Sequence, residues 1–420
     1  MTQIKLPVQA RSSHVEEARR TVNAAIDAAD AALRALNKDI HDHPETAYQE
    51  VHAHDALCAF LEGQGFAVTR HAYGLATSFE ASVGSSGGGG GGAREIVYCA
   101  EYDALPGIGH SCGHNLIATA SMAAFVGAAK AQQALGFGGR IRILGTPAEE
   151  GGGGKIRLLD AGAIPASTAA AIMAHPVAGH MAKIPGASGL AGFKLICSHK
   201  FKVEFGGRAA HAGAQPWDGV NALDAAVAAY TNVSMLRQQI RPDERVHGVI
   251  EDGGRVPNVI PAYTRMAWNV RAPKVKAADA LRERVDACFH AAAAATGCKV
   301  NIVEGPMYKD LRANLTLCKT YVEDMRALGE KIILTEDEPA TASTDMGNVS
   351  YTVPSFHGAF GIPAPENVVG HHPGFAAAAG TDEAHAAAIQ CAKGMAMLGW
   401  RVLTDDRIAE DARRDFEQDD

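Results

Sequence analysis

Three segments of this 420-residue chain set an apolar run directly before a group of side chains able to bind metal or move protons. The first, EYDALPGIGHSCGH, spans Glu101 to His114. Its Cys112 and His114 offer a thiolate and an imidazole, both good zinc ligands, at a spacing too short for a zinc-finger knuckle. Alone, the pair reads as readily as a buried thiol beside a helix-capping histidine. The second, GTPAEEGGGG, follows an apolar run and carries Glu149 and Glu150 before four glycines. One such carboxylate can hold a metal while its neighbour acts as a general base on water. A phosphate-loop reading of GGGGK fails, because the first glycine would fall on Glu149 and Ile156 stands where Ser or Thr is needed. The third, IMAHP, ends an apolar run with His175.

Two later groups add to these: His211 in RAAHAG, and the adjacent His371 and His372 in GHHP. Each has a bland reading as a capped or hydrogen-bonded structural residue. One cysteine, several histidines and paired glutamates at successive strand ends together suit a two-metal hydrolase. Two alternatives stand beside it: a cysteine hydrolase using Cys112 with His114 or His110 as base, and a catalytically silent binding protein.

Such a site needs elements that bring these segments to one place. Val22, Ile26, Leu33, Leu36 and Ile40 recur at helical spacing, giving a helix over 16–40, with a second over about 50–63. The tract from Ser82 to Gly92, with six consecutive glycines, reads as a surface loop. Strands over 96–100, 141–144 and 170–174 alternate with helices over 115–135 and 155–163, the rhythm of a parallel α/β sheet. In such sheets ligands bind at the carboxyl ends of the strands. From 197 the order becomes β-α-β-β-α-β: strand 201–205, helix 222–236, strands 246–251 and 265–270, helix 277–295, strand 300–303. That is the ferredoxin-like unit. The α/β pattern resumes near 306 with a helix over 314–328, a strand over 353–356 and a helix over 381–403. The expected division is therefore a catalytic domain in two parts, 1–196 and 306–420, around an inserted α+β domain over 197–305. Gly192 and its neighbours are the expected hinge. The charged stretch 405–420 reads as a solvated helix or tail.

Composition narrows the classes. The chain is 47% hydrophobic and 20% charged, with a formal net charge of −8 and no basic stripe with interleaved aromatics, which argues against a nucleic-acid partner. Eight scattered cysteines read as buried thiols in a reducing compartment. No apolar stretch is long enough to span a bilayer, and the first residues lack a secretory h-region, so a cytoplasmic location is expected.

The motifs YDALPGIGHSCGHN, GTPAEEGGGGK, HAGAQPWDGVNALDA and STDMGNVSYTVPSFH resemble the M20 metallopeptidase family, in its Cys-Gly-His branch. Within that branch they look most like the aminobenzoyl-glutamate hydrolases and β-alanyl-dipeptidase-like proteins. The resemblance runs over residues 30–400 with the motifs in order. It implies a zinc-peptidase-like α/β catalytic domain with a mixed, largely parallel sheet, an inserted lid or dimerisation domain, and a homodimer. It implies two divalent ions, zinc by the thiolate and imidazole donors, with manganese or cobalt as alternatives. Cys112 would bridge them, and His114, Glu150, His175 and His372 would complete the two spheres. His372 is preferred to His371 because it aligns with the following proline. Glu149 would be the general base and Asp103 a support of the metal site. His211 would polarise the substrate carbonyl and Asn258 would contact substrate. Arg271, an arginine near a strand end, is a candidate for gripping the substrate carboxylate. The implied reaction is hydrolysis of an amide bond beside a free carboxylate, in a dipeptide, an N-acyl amino acid or an aminobenzoyl-glutamate.

Overall fold

The five apolar positions that predict the first helix are all buried, and the helix runs over Val8–Asp42. Each such leucine or isoleucine contributes about 1.5–3 kcal/mol by leaving water. They pack on the helix His114–Leu135, where Gly127 permits the approach: a Cβ there would stand 2.8 Å from Ile26 Cδ1. The computed structural model describes residues 8–85, 94–181 and 186–418.

The chain forms two units, Met1–Lys194 with Arg312–Glu338 and Asn348–Asp420, and Leu195–Leu311 with Pro339–Gly347. The second unit thus runs past the expected 305 to Leu311 and takes in 339–347. That segment joins it through backbone pairing, Ile196 N–H donating to Ala342 O at 3.0 Å.

The first unit holds an eight-stranded sheet. In spatial order its strands are Val68–Arg70, Phe79–Ser85, Gly139–Gly145, Glu95–Ala100, Ala170–Ala178, Ser355–Ile362, Gly189–Gly192 and Ile332–Thr335. The four strands from Gly139–Gly145 to Ser355–Ile362 are mutually parallel, as are the last two. The remaining pairings are antiparallel, so the sheet is mixed with a parallel centre. Glu95–Ala100 and Ala170–Ala178 are almost wholly buried, as apolar strands covered on both faces must be.

The expectations from sequence depart from this sheet at its margins. Ser82–Ser85, expected as loop, belongs to a strand, because the backbone of 139–142 opposite supplies the ladder whatever the side chains are. The rest of that tract, 86–92, lies outside the described residues. The short strands Val68–Arg70, Gly189–Gly192 and Ile332–Thr335 carry too few residues for a period to register. Asp406–Gln418 is a helix with buried Ala412, whose carbonyl accepts from Asn314 Nδ2 at 2.7 Å.

The second unit is a four-stranded antiparallel sheet, ordered Lys299–Tyr308, Cys197–Gly206, Tyr263–Ala272, Arg245–Asp252. The helices Ala222–Leu236 and Val275–Thr296 complete the β-α-β-β-α-β order expected. Phe201, Phe205, Trp268 and Phe289 anchor its core. Among the described residues, no helix is long and apolar enough to cross a membrane.

Candidate metal centre

Strand Glu95–Ala100 releases the chain into Glu101, Tyr102 and Asp103, all buried at its carboxyl end. The loop then turns back and enters the helix His114–Leu135 at Gly113, which has φ of 81°. A Cβ on Gly113 would stand 2.6 Å from Pro176 Cγ, so only glycine brings Cys112 and His114 this close to the strand Ala170–Ala178. His175 lies inside that strand, beside Ala359, rather than at its end.

Two histidines are held in a defined tautomer. His114 Nδ1 lies 3.0 Å from Asp103 Oδ1, and His175 Nδ1 lies 2.7 Å from Pro176 O. Donation from both Nδ1–H groups turns both Nε2 atoms into the site, where a metal can bind His175 directly and His114 by displacing its Nε2 proton. His175 Nε2 stands 3.4 Å from Cys112 Sγ. His114 Nε2 is buried without a hydrogen bond of normal geometry, 3.6 Å from Glu101 Oε2 and 3.9 Å from both Glu149 Oε2 and Glu150 Oε1. A buried ring nitrogen facing three carboxylates calls for positive charge there, supplied by a proton on Nε2 or by a metal ion in its place.

The second oxygen of Asp103 accepts the Glu150 backbone N–H at 2.9 Å, fixing the turn that carries both glutamates. The backbone of that turn is tight: Ala148 sits at φ of 60°, its N–H donating to Glu50 Oε1 at 2.8 Å. Gly153 has φ of 64°, and a Cβ on Gly154 would fall 1.7 Å from Pro147 O. Tyr48 closes the turn from outside, its hydroxyl donating to Gly152 O at 2.7 Å.

Donor atoms therefore gather in three overlapping groups, one of them Glu101, His114 and Glu149. Cys112, His114 and His175 present ligand atoms within 4.8 Å of one another, and so do Cys112, Glu150 and His371. His371 Nε2 is 3.3 Å from Glu150 Oε1. The sequence favours His372 here, and the structure places His371 instead. His372 is the N-cap of the helix Pro373–Ala379, its Nδ1 accepting from Gly374 N–H at 3.0 Å. The proline that guides the alignment belongs to that cap. His371, although exposed, is turned toward Glu150 on a left-handed backbone, φ 67°, pinned by its N–H to Ser111 O at 2.8 Å.

The electrostatics agree with a cation-binding pocket. Burial works against protonation of His114, but Cys112 and Asp103 hold it well above its usual value. Burial would raise Glu150, and its contacts with His371 and His114 bring it down to about 2. Burial, then His114, lowers His175 to about 4. Burial pushes the Cys112 thiol up, which disfavours a free thiolate nucleophile and leaves thiolate formation to a bound metal. His110 is a loop histidine whose Nε2 lies 3.1 Å from Ile40 O, and burial lowers it to about 3.

In the second unit, His211 and Asn258 lie side by side. Ala212 N–H donates to Asn258 O at 3.0 Å, and His211 bridges Val259. His211 Nδ1 accepts from the N–H groups of Gly213 and Ala214 at 3.2 and 3.1 Å, so its Nε2 carries the proton. Arg271 Nη1 donates to Thr341 O at 3.1 Å.

Three side chains of the centre are not among those the sequence singles out. Glu50 is fully buried, accepts from Thr77 Oγ1 and Ala148 N–H, and is raised to about 7 by burial and by Asp103. Lys155, at the start of a short helix, is buried in an ion pair with Glu101. His357 is buried with its ring centroid 6.2 Å from that of His175. Glu50 lies outside the motifs, whereas Lys155 and His357 close two of them without showing a role there; the sheet order brings all three to the site.

Known proteins resemble the chain throughout. A model of the peptidase dimerisation domain of the M20 type matches residues 192–296. The Xaa-Arg dipeptidase of Mus musculus is 39% identical over 98% of this chain and 94% of its own. One of the p-aminobenzoyl-glutamate hydrolase polypeptides of Escherichia coli is 32% identical over 64% of this chain and 57% of its own. Among solved structures, a dinuclear metal binding peptidase of Bacillus subtilis superposes with a TM-score of 0.63 at 21% identity, covering 90% of this chain and 99% of that one.

Proposed function

The chain belongs to the M20 peptidase family, and from that membership we propose that it hydrolyses the amide bond beside a free carboxylate, with dipeptides ending in a basic residue as first substrates. The observation that carries the reading is the shared position of Cys112 in two donor groups around the buried His114 Nε2. The dipeptide preference follows the mouse relative, an Xaa-Arg dipeptidase.

Two divalent ions, zinc by the donor chemistry, would be held by Cys112, His114, Glu150, His175 and His371. When bound they supply Lewis acidity and make water acidic enough to attack near neutral pH. The Glu149 carboxylate accepts the proton of the attacking water as the C–O bond forms. It then gives that proton to the amine nitrogen as the C–N bond breaks. Asp103 holds His114 and the Glu150 turn in place throughout. His211 offers its Nε2–H to the carbonyl oxygen as charge grows there. Asn258 contacts the substrate, and Arg271 takes its carboxylate through the donors that Thr341 leaves over. The working assembly is a homodimer.

The test is hydrolysis of a panel before and after chelation and zinc return. The panel holds dipeptides ending in Arg or Lys, β-alanyl dipeptides, N-acyl amino acids and aminobenzoyl-glutamate. Activity lost on chelation and restored by zinc supports the reading, and the best substrate fixes the acyl and amino sides. Activity that survives chelation points to Cys112 as nucleophile. A metal-loaded protein inert on the whole panel points to a binding role.

A further inference from the structure

Among the described residues outside this centre, one cluster of metal-binding side chains remains without a role. Asp39 lies in the last turn of the helix Val8–Asp42, His43 follows four residues on, and His52 opens the helix Val51–Gly63. His43 Nδ1 is 2.9 Å from Asp39 O and 3.2 Å from Asp39 Oδ1, and His52 Nε2 is 2.9 Å from Asp39 Oδ2. The two imidazole rings face each other at 4.4 Å. Among the described residues, Asp39 has no cationic lysine or arginine partner. Lys38 pairs with Asp42, and Glu45 caps the second helix at His52 and Ala53 N–H.

We propose that Asp39, His43 and His52 form a separate site for a divalent cation of the zinc class. Asp39, His43 and His52 present ligand atoms within 4.8 Å of one another, and small side-chain rotations would bring them to the roughly 3.3 Å separation of ligands on a tetrahedral zinc with bonds of about 2.0–2.1 Å. Two imidazoles and a carboxylate favour zinc over magnesium, which takes oxygen ligands. The three side chains are about half exposed, so the fourth position opens to water and metal can enter from solvent.

The site joins the two ends of the connection between the helices. That connection is held to the loops of the catalytic centre at three points. Glu45 O accepts Ala104 N–H at 2.7 Å, Tyr48 binds Gly152 O, and Glu50 accepts Ala148 N–H. A cation at Asp39, His43 and His52 therefore staples the segment that backs the Asp103 and Glu149 turns. It does so without touching any group assigned to the reaction.

The experiment is equilibrium dialysis of the full, metal-stripped chain against rising zinc, with hydrogen exchange read over residues 43–53. Wild type is compared with His52→Gln and with His43→Gln/His52→Gln. Wild type should take up one equivalent per chain more than either variant, with excess magnesium unable to compete. Exchange over 43–53 should slow roughly tenfold in wild type alone when zinc stands at ten times its Kd. Equal zinc uptake by wild type and both variants overturns the proposal. If the double variant melts lower in chelator, His52→Gln alone, an exposed substitution, decides by the same criterion. A deficit in dipeptide hydrolysis has no bearing on the outcome, because the readout is bound zinc.

Discussion

Asp103 meets His114 at 3.0 Å with both side chains withdrawn from water, and the other Asp103 oxygen holds the Glu150 backbone. One carboxylate thus sets the tautomer of one proposed ligand and the position of another. Asp103→Asn keeps the shape but offers an amide where Nδ1–H needs an acceptor. Zinc affinity, read by competition with a chromophoric chelator, should fall about 10–100-fold. Unchanged affinity would remove Asp103 from its supporting role.

Glu149 lies 3.9 Å from His114 Nε2, on the turn that Asp103 and Glu50 brace. Glu149→Gln should lower kcat by about 10²–10⁴-fold with bound metal and melting temperature unchanged. A variant with near-normal kcat would sink the general-base assignment.

The neighbouring histidines 371 and 372 face different tasks, proposed ligand and helix cap. His371→Ala should lower the metal content of the purified protein. His372→Ala should retain metal and lose about 1 kcal/mol of stability. The reverse pattern would restore His372 as the ligand.

Glu50 is held at about 7 against an ordinary 4.5, by burial first and the Asp103 charge second. The folded chain therefore keeps a proton that the unfolded chain releases between those values. Stability falls as pH rises from about 4.5 to 7, by about 3 kcal/mol in all. Glu50→Gln carries no such proton. In chelator, its denaturant midpoint should gain on wild type between pH 5 and pH 8. A constant difference across that range would mean Glu50 titrates normally.

His211→Gln should lower kcat while leaving zinc uptake intact, since its Nε2–H is the proposed donor to substrate and its Nδ1 is satisfied locally. Loss of zinc in that variant would mean that His211 supports the metal centre instead.

The sequence is most informative where chemistry coincides with a regular element. Cys112, His114 and the two glutamates stand just after apolar strands, so strand ends and motifs point to one place. The helix Ala222–Leu236 is legible to its ends because Asn221 caps it and alanines pack its inner face. Glu50 is invisible because its burial depends on partners far along the chain, Thr77 and Ala148, 27 and 98 positions away, and the roles of Lys155 and His357 do not show although both close a motif. The choice between His371 and His372 turns on one backbone dihedral, which the proline that follows does not encode.

The four glycines after Glu150 look like filler, and the turn they build makes them the opposite. A methyl group at Gly154 has no room beside Pro147 O, and Gly153 occupies a left-handed backbone that L side chains resist. In a library that randomised the chain, these positions should reject replacement as firmly as the ligands do. A filter that discards low-complexity sequence would discard the stretch with the least freedom to vary.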